Sequence, residues 1–209
     1  MSQKPYITLS GDGKGKYSEK KSDFFGFAKH VTRESDAIAY IAALRKQYSD
    51  ARHHVYAYLL TEGNATRYSD DGEPQGTAGP PTLDVLAKRG IKDAVVVVIR
   101  YFGGTLLGTG GLVRAYTEAA KLAVEDAGVV ELIPHVVYAL ETDYGDYQKL
   151  IADCRKRGVT VEDSSFSDKV VTTCCMPKEQ EADFLLHVSD LFNGRVEPLF
   201  LEEKIAEKI

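Results

Sequence analysis

The chain has 209 residues and a mass of 23.0 kDa, and 44% of its residues are hydrophobic, which is enough for one large core or two modest ones. No apolar stretch approaches the roughly 20 residues of a membrane span, and the polar N-terminus predicts no signal peptide. Three cysteines without a Cys-x-x-Cys pair favour a reducing, cytoplasmic setting.

The net charge of −5 is unevenly distributed along the chain. Residues 1–133 carry 17 Lys and Arg against 16 Asp and Glu, whereas residues 134–209 carry 9 against 15. An acidic total does not favour a general nucleic-acid binder, but the balanced first part can hold a local basic patch. The acidic second part is a poor candidate for direct contact with phosphate.

The first part of the chain reads as a lead-in followed by alternating strands and helices. Residues 1–20 are polar and contain glycines among lysines, which indicates a flexible lead-in or an edge hairpin. Strands are predicted at Phe24–Val31, Arg52–Leu60 and Ala94–Ile99, and helices at residues 35–48, 80–88 and 112–127. A turn is predicted at residues 62–64, followed by a loop over residues 67–82.

Three of these elements carry more specific signals. Ser35 or Asp36 is predicted to cap the first helix, whose apolar residues Ile38, Ile41, Leu44 and Tyr48 share one face. The Val-rich run Ala94–Ile99 is typical of a strand buried on both faces. The last helix, closed by Gly128, carries a small-sided stripe (Leu112, Tyr116, Ala119, Ala120, Ala123 and Ala127), which predicts very close packing on the sheet.

From Pro134 onward the pattern starts again. Strands are predicted at residues 135–140, 159–161, 170–176 and 196–201, and helices along residues 147–154 and 184–192, ended by Gly158 and by Asn193-Gly194. The order βαββαβ is that of a ferredoxin-like unit. The sequence thus predicts an α+β protein with an N-terminal domain, residues 1–133, and a ferredoxin-like C-terminal domain, residues 134–209.

A glycine-rich stretch joins the central strand to the last helix of the first domain. Its glycines are Gly103, Gly104, Gly108, Gly110 and Gly111. A strand, a glycine loop and a helix N-terminus can present backbone N–H groups to an anion. A P-loop is excluded because Thr109 stands where the lysine is required, and a dinucleotide fingerprint because Val113 replaces its third glycine. Either a tightly packed corner or a site for phosphate remains, with Arg100 and Arg114 as nearby charges.

Acidic residues and histidines form the one metal-like collection in the sequence. Asp70, Asp71 and Glu73 lie in the turn-rich loop, and His53 and His54 begin the preceding strand. Their spacing is not diagnostic of a metal, and adjacent histidines on a strand face opposite sides. The competing interpretation is a structured turn whose carboxylates cap N–H groups. No motif for nucleophilic catalysis is present.

Tyrosines are interleaved with the charges of the first part. They are Tyr56, Tyr58, Tyr68, Tyr101 and Tyr116. Aromatic rings beside Arg and Lys are used to stack the bases of single-stranded RNA, although no RNP motif is present.

Several long motifs in order carry a family resemblance over residues 20–130. They are Lys21-Ser22, the stretches 50–54 and 56–58, Ser69-Asp70-Asp71-Gly72-Glu73-Pro74 with 76–81, and Arg100-Tyr101-Phe102-Gly103-Gly104 with 107–108 and 110–116. In these motifs the chain resembles the IMPACT family and, more closely, its bacterial YigZ-type branch. The second domain is similar to that branch in position and pattern only.

The resemblance implies folds that are common among ribosome and RNA binders. The first domain is expected to share the fold of a domain found in a small-subunit ribosomal protein and in the translocating elongation factor. Eukaryotic members regulate translation under amino-acid starvation through a further N-terminal domain, where this sequence has a short polar lead-in. The fold analogy supplies an expectation and no activity.

We therefore expect a cytoplasmic RNA- or ribosome-binding protein that modulates translation and uses no cofactor. The predicted phosphate-binding residues are Arg52, His53, His54, Arg100, Gly103, Gly104, Gly108, Gly110, Gly111 and Arg114. One alternative is a metal-assisted hydrolase or transferase acting on a phosphorylated small molecule through Asp70, Asp71 and Glu73. The other is a regulator that binds a protein partner through its ferredoxin-like domain. No membrane partner is expected.

Overall fold

A computed structural model describes residues 4–208. Residues 1–3 and 209, which include the start of the predicted lead-in, lie outside the described residues. The chain divides into two compact units, here called the first unit, Tyr6–Glu131, and the second unit, which runs from Leu132 and includes Lys4 and Pro5. Along the described chain, no helix has the length and apolar character needed to cross a membrane.

The first unit is built on a five-stranded sheet. The five strands are β2 (Gly13–Glu19), β3 (Ser22–His30), β4 (His53–Leu59), β5 (Thr66–Ser69) and β6 (Ala94–Tyr101), and the short strand β1 (Tyr6–Leu9) precedes them outside this sheet. The helices of the unit are α1 (Glu34–Gln47), α2 (Gly79–Lys88) and α3 (Gly108–Ala127). The sheet order is β2-β3-β6-β4-β5, and every neighbouring pair is antiparallel. A short 3₁₀ turn at Glu62–Asn64 joins β4 to β5. The predicted lead-in therefore contains the edge strand β2, which forms a hairpin with the next predicted strand, β3.

Central strand β6 is buried on both faces, as its apolar run predicted. Val96 and Val98 pack with the residues of α2 and α3, whereas Val97 and Ile99 pack with α1 on the other face. Since side chains alternate along a strand, Arg100 continues the face toward α2 and α3. This places a charged residue at the end of a hydrophobic row.

The small-sided face of α3 packs against the sheet without intervening side chains. A Cβ atom added to Gly13 or Gly26 would lie 2.1 or 2.2 Å from a backbone oxygen of α3, and one added to Gly15 would lie 2.5 Å from the Cβ of Leu122. The predicted close packing is confirmed. The helix begins at Gly108, one turn before the predicted start at Leu112.

Two local predictions in the first unit were wrong. Neither Ser35 nor Asp36 caps α1, because Arg33 occupies the cap position and the Asp36 carboxylate pairs with its guanidinium. The loop predicted over residues 67–82 was wrong at its start, because strand β5 occupies Thr66–Ser69. Helix α1 forms as predicted, but Ile38 is 55% exposed whereas Ile41 is buried.

The second unit has the predicted ferredoxin-like βαββαβ order. Its elements are β7 (Val129–Thr142), α4 (Tyr144–Arg157), β8 (Thr160–Phe166), β9 (Val170–Pro177), α5 (Glu181–Phe192) and β10 (Leu199–Glu207). Strand β7 pairs with β10 and with β9, and β9 pairs with β8, and each of these three pairs is antiparallel. Leu150 of α4 and Phe184 of α5 are buried in its core. The α+β class and the ferredoxin-like arrangement are thus confirmed.

Candidate nucleic-acid interface

The ends of three strands meet at one end of the first unit. Arg100, near the end of β6, pairs with His53 at the start of β4 and with Phe24 near the start of β3. The glycine stretch after β6 therefore lies beside the turn between β2 and β3. Gly103 N donates a 3.1 Å hydrogen bond to Ser22 Oγ. A Cβ at Gly103 would collide with the Lys21 carbonyl oxygen, so this glycine is required by packing.

Four exposed cations surround this glycine corner (Gly103–Gly111), and together we call them the basic end. They are Lys20 and Lys21 in the β2–β3 turn, Arg52 before β4, and Arg114 in the second turn of α3. Within residues 4–208, none of the four side chains forms an ion pair, whereas Arg89, toward the other end of α3, pairs with Glu125. Unpaired surface cations are available to an anionic ligand without first breaking a salt bridge.

The turn that presents two of these cations has a strained backbone. Lys20 and Lys21 have φ angles of 44° and 67°, in the left-handed region. That region costs a residue with a Cβ about 1–2 kcal/mol, which is why two-residue hairpin turns favour Asn and Gly. Strain of this kind is concentrated at functional sites. Neither lysine was among the predicted phosphate-binding residues; the adjacent Lys-Lys pair in a short hairpin was the signal for them.

The first turn of α3 offers free backbone donors to the same surface. The helix has no side-chain cap and no acidic residue in its first turn. Thr109 and Gly110 are exposed, and a Cβ at Gly110 would meet no atom within 4 Å. The N–H groups of a first helical turn lack intrahelical partners and carry partial positive charge. The corner therefore complements an anion.

A buried ionic cluster lies beneath this corner. Glu73 Oε1 accepts hydrogen bonds of 2.7 Å from Arg100 Nη1 and 2.7 Å from the Tyr116 hydroxyl. The side chains of Arg100 and Glu73 are only 6% and 4% exposed. Burial, together with the Glu73 carboxylate, raises the pKa of Tyr116 well above its usual range, so the phenol stays protonated as a donor.

Arg100 is therefore a structural brace and does not contact a surface ligand directly. Its guanidinium lies 5.4 Å from the ring centres of both Phe24 and Phe102. Phe102 leads directly into the glycine corner. The ion pair thus holds in place the residues that lead into the glycine corner. Arg100 was predicted to bind phosphate, but it is buried and is removed from that group of residues.

The two histidines point to opposite faces of β4, as expected for neighbours on a strand. His54 is buried on the α1 side, where its Nε2 donates to the Tyr48 carbonyl oxygen at 3.0 Å. His53 is half-buried on the other side, and its Nδ1 donates to the Asp71 carbonyl oxygen at 2.9 Å. His54 is consequently removed from the phosphate-facing set, while His53 remains beside the exposed Arg52.

The three loop carboxylates serve different partners and do not converge. Asp70 accepts from the backbone N–H groups of Gly76, Ala78 and Gly79 at 2.8–2.9 Å and so fixes the start of α2. Asp71 binds the Arg45 side chain and the His54 N–H, and Glu73 belongs to the buried cluster. Among residues 4–208, no group of three His, Cys, Asp or Glu side chains could hold a metal ion. The carboxylates form the structured turn considered above. They do not converge on one site, as the hydrolase alternative requires.

Known proteins share both the sequence and the fold of this chain. The Impact N-terminal domain model matches residues 20–124, and a domain of unknown function (DUF1949) matches residues 140–195. IMPACT family member YvyE of Bacillus subtilis is 33% identical, with 91% of this chain and 88% of the relative covered. IMPACT family member YigZ of Escherichia coli is 32% identical, with 88% and 92% covered.

A eukaryotic relative and a solved structure are also similar to this chain. A Protein IMPACT homolog of Saccharomyces cerevisiae is 32% identical over 53% of this chain and 44% of its own length. A solved structure titled "Crystal structure of an hypothetical protein" is 29% identical, with a TM-score of 0.60 over 96% of this chain and 98% of the other. The sequence matches extend over nearly the whole chain and include both units, so the chain belongs to the IMPACT family.

Proposed function

We propose that the protein binds single-stranded RNA, free or in the ribosome, through the basic end of the first unit and thereby modulates translation. Membership of the IMPACT family supports a role in the regulation of translation. The observation that carries the RNA proposal is the set of four exposed, unpaired cations around the glycine corner. In this proposal, Lys20, Lys21, Arg52 and Arg114 contact phosphates, while the first turn of α3 adds backbone donors.

RNA binding through phosphate contacts weakens with salt by an amount that depends on the number of contacts. Each phosphate contact on a single strand contributes about −0.7 to the slope of log affinity against log salt concentration. Four cations therefore predict a slope of about −3. The measurement is fluorescence anisotropy of a labelled oligouridine RNA titrated with the protein at several salt concentrations.

Charge reversal at Arg114 provides the decisive variant. Arg114→Glu is expected to weaken RNA binding and reduce the slope by at least about 0.7, because one phosphate contact is lost. Lys92→Glu is the matched control: Lys92 is also exposed and without an ion pair among residues 4–208, but precedes β6 at the opposite end of that strand. Equal effects of the two variants, or binding that does not change with salt, would refute the proposal.

Sedimentation through a sucrose gradient tests the translation part. The protein in cell lysate is expected to migrate with ribosomal subunits at low salt and to be released at moderate salt. Arg114→Glu is expected to remain at the top of the gradient, whereas Lys92→Glu should behave like the wild-type protein. Oligouridine binding without ribosome association would retain the RNA proposal and reject the ribosome as its source.

A further inference from the structure

A second surface of the first unit is an open groove of about 460 Å³ beside α1. One wall is formed by Ile38, Ile41 and Arg45, which recur at the spacing of a single helical face. Its floor is the part of β4 and β5 that α1 leaves uncovered. The exposure of Ile38, unexplained by the packing of α1 on the core, follows from its place in this wall.

The floor of the groove is aromatic. The rings of Tyr56 and Tyr58 are nearly parallel, with an interplanar angle of 10° and centres 6.3 Å apart. Tyr58 is only 4% exposed, and its hydroxyl donates to Glu34 Oε1 at 2.6 Å, so it is held by the fold. Tyr56 is only partly buried and offers its ring to the groove.

Guanidinium groups complete the lining. Arg67 on edge strand β5 is exposed, and among the described residues the only hydrogen bond of its side chain goes from Nη1 to the Thr66 carbonyl oxygen at 3.0 Å. Arg45 is oriented by Asp71. The Asp71 carbonyl oxygen accepts from His53, the neighbour of Arg52 at the basic end. A short series of contacts therefore joins the groove to the basic end.

We propose that this groove, the tyrosine groove, receives bases of a single-stranded RNA whose phosphates lie on the basic end. The inference rests on the proposed function and adds a site for the bases. A ring on an open sheet face, an aliphatic wall opposite and flanking guanidinium groups fit a flat base, because bases stack on aromatic rings and on guanidinium planes. A protein strand added to β5 would use the free backbone edge of the sheet and would leave the aromatic floor unused.

Substitution of Tyr56 tests the contribution of base stacking to RNA binding separately from that of the phosphate contacts. Tyr56→Leu keeps apolar volume but removes the ring, so it is expected to lower the affinity for oligouridine by roughly 5- to 150-fold with an unchanged salt slope. Tyr56→Phe keeps the ring and should retain wild-type affinity. Arg67→Ala alters an exposed side chain without endangering folding and should lower the affinity while the salt slope is kept, because the phosphates lie on the basic end. Circular dichroism and thermal unfolding establish that each variant is folded.

Photocrosslinking locates the bases directly. Oligouridine that contains 4-thiouridine is expected to crosslink to peptides of β4 or α1 that line the groove, as identified by mass spectrometry. Crosslinks confined to the basic end, with unchanged affinity of Tyr56→Leu and Arg67→Ala, would overturn the tyrosine groove and leave the RNA proposal intact. The β5 edge would then be tested with a peptide strand. Failure of the wild-type protein to bind the RNA would overturn both.

Discussion

Replacing Glu73 by Gln tests whether the buried cluster supports the first unit. Glu73 is the one ion-pair partner of Arg100 among the described residues, and it also accepts from Tyr116. Arg100 Nε already has no hydrogen-bond partner in that part of the chain. Glu73→Gln keeps the side-chain shape but removes the negative charge, so the buried guanidinium loses its compensation.

The structure sets the expected size of the effect. Removing one partner of a buried ion pair costs about 3–5 kcal/mol, because the remaining charge stays desolvated. The matched control is Asp84→Asn, which removes the same charge from the 2.8 Å pair between Lys88 and Asp84. Those two side chains are 78% and 57% exposed, so their pair is expected to contribute less than about 1 kcal/mol.

Hydrogen exchange of the β6 amides measures the free energy of opening of this sheet and does not require the whole chain to unfold in one step. Glu73→Gln is expected to lower it by about 3–5 kcal/mol. The triple variant Glu73→Leu, Arg100→Met and Tyr116→Phe should recover most of that loss, since apolar groups can replace a buried ion pair and no polar group is left without a partner. A loss for Glu73→Gln no greater than that for Asp84→Asn would show that Arg100 does not depend on Glu73.

Three further predictions concern the same unit. Asp70→Ala should cost about 1–2 kcal/mol of unfolding free energy in urea by removing the acceptor at the start of α2, and a cost below about 0.3 kcal/mol would contradict this. Gly26→Ala should strongly lower the thermal midpoint because its Cβ would lie 2.2 Å from an α3 carbonyl oxygen, whereas Gly110→Ala should leave the midpoint unchanged or raise it. Burial and the Glu73 carboxylate raise the pKa of Tyr116 above its ordinary 10.0, so stability should be complete below about pH 10 and fall at higher pH, by up to about 1.4 kcal/mol per pH unit. Urea unfolding against pH should show a weaker alkaline decline for Tyr116→Phe, and an identical decline would contradict the assignment.

The elements predicted best from the sequence are bounded by residues with local backbone chemistry. Pro80 and Pro81 lie in the first turn of α2, where a missing N–H costs nothing, and the helix ends at Lys88 as predicted. Gly128 follows α3 with a φ of 69°. Signals of this kind need no knowledge of distant neighbours, which is why they can be read from one sequence.

The features that were missed depend on contacts between distant parts of the chain. Strand β5 is a polar run of four residues whose extended form depends on pairing with β4. The spacing of Ile38 and Ile41 indicates a helical face, but not that part of this face extends past the core into an open groove. The helix α1 was predictable from the sequence, whereas strand β5 and the part of the sheet that α1 leaves uncovered were not.

In the candidate site, too, the sequence shows which residue types are present but not which of them contact each other in the fold. Arg100 and Glu73 are 27 residues apart in sequence, and their ion pair forms because β6 and the loop before α2 meet in the fold. In a linear sequence, Arg100 and Arg114 look equivalent as nearby charges. Strand alternation directs Arg100 into the interior, where it requires a carboxylate, while α3 leaves Arg114 in solvent.

Three glycines that pack against α3 contrast with Gly110 of the corner, and the contrast supports a binding role for the corner. Gly13, Gly15 and Gly26 are required by packing, because any Cβ there would collide with α3. Gly110 has neither a positive φ nor a neighbour within 4 Å, so the fold alone does not require a glycine there. Because glycine lowers helix stability relative to alanine by about 1 kcal/mol, its presence in the first turn of α3 favours a role in ligand approach. A Gly110→Ala variant that is as stable as the wild-type protein but binds RNA less tightly would assign that role to the backbone of the corner.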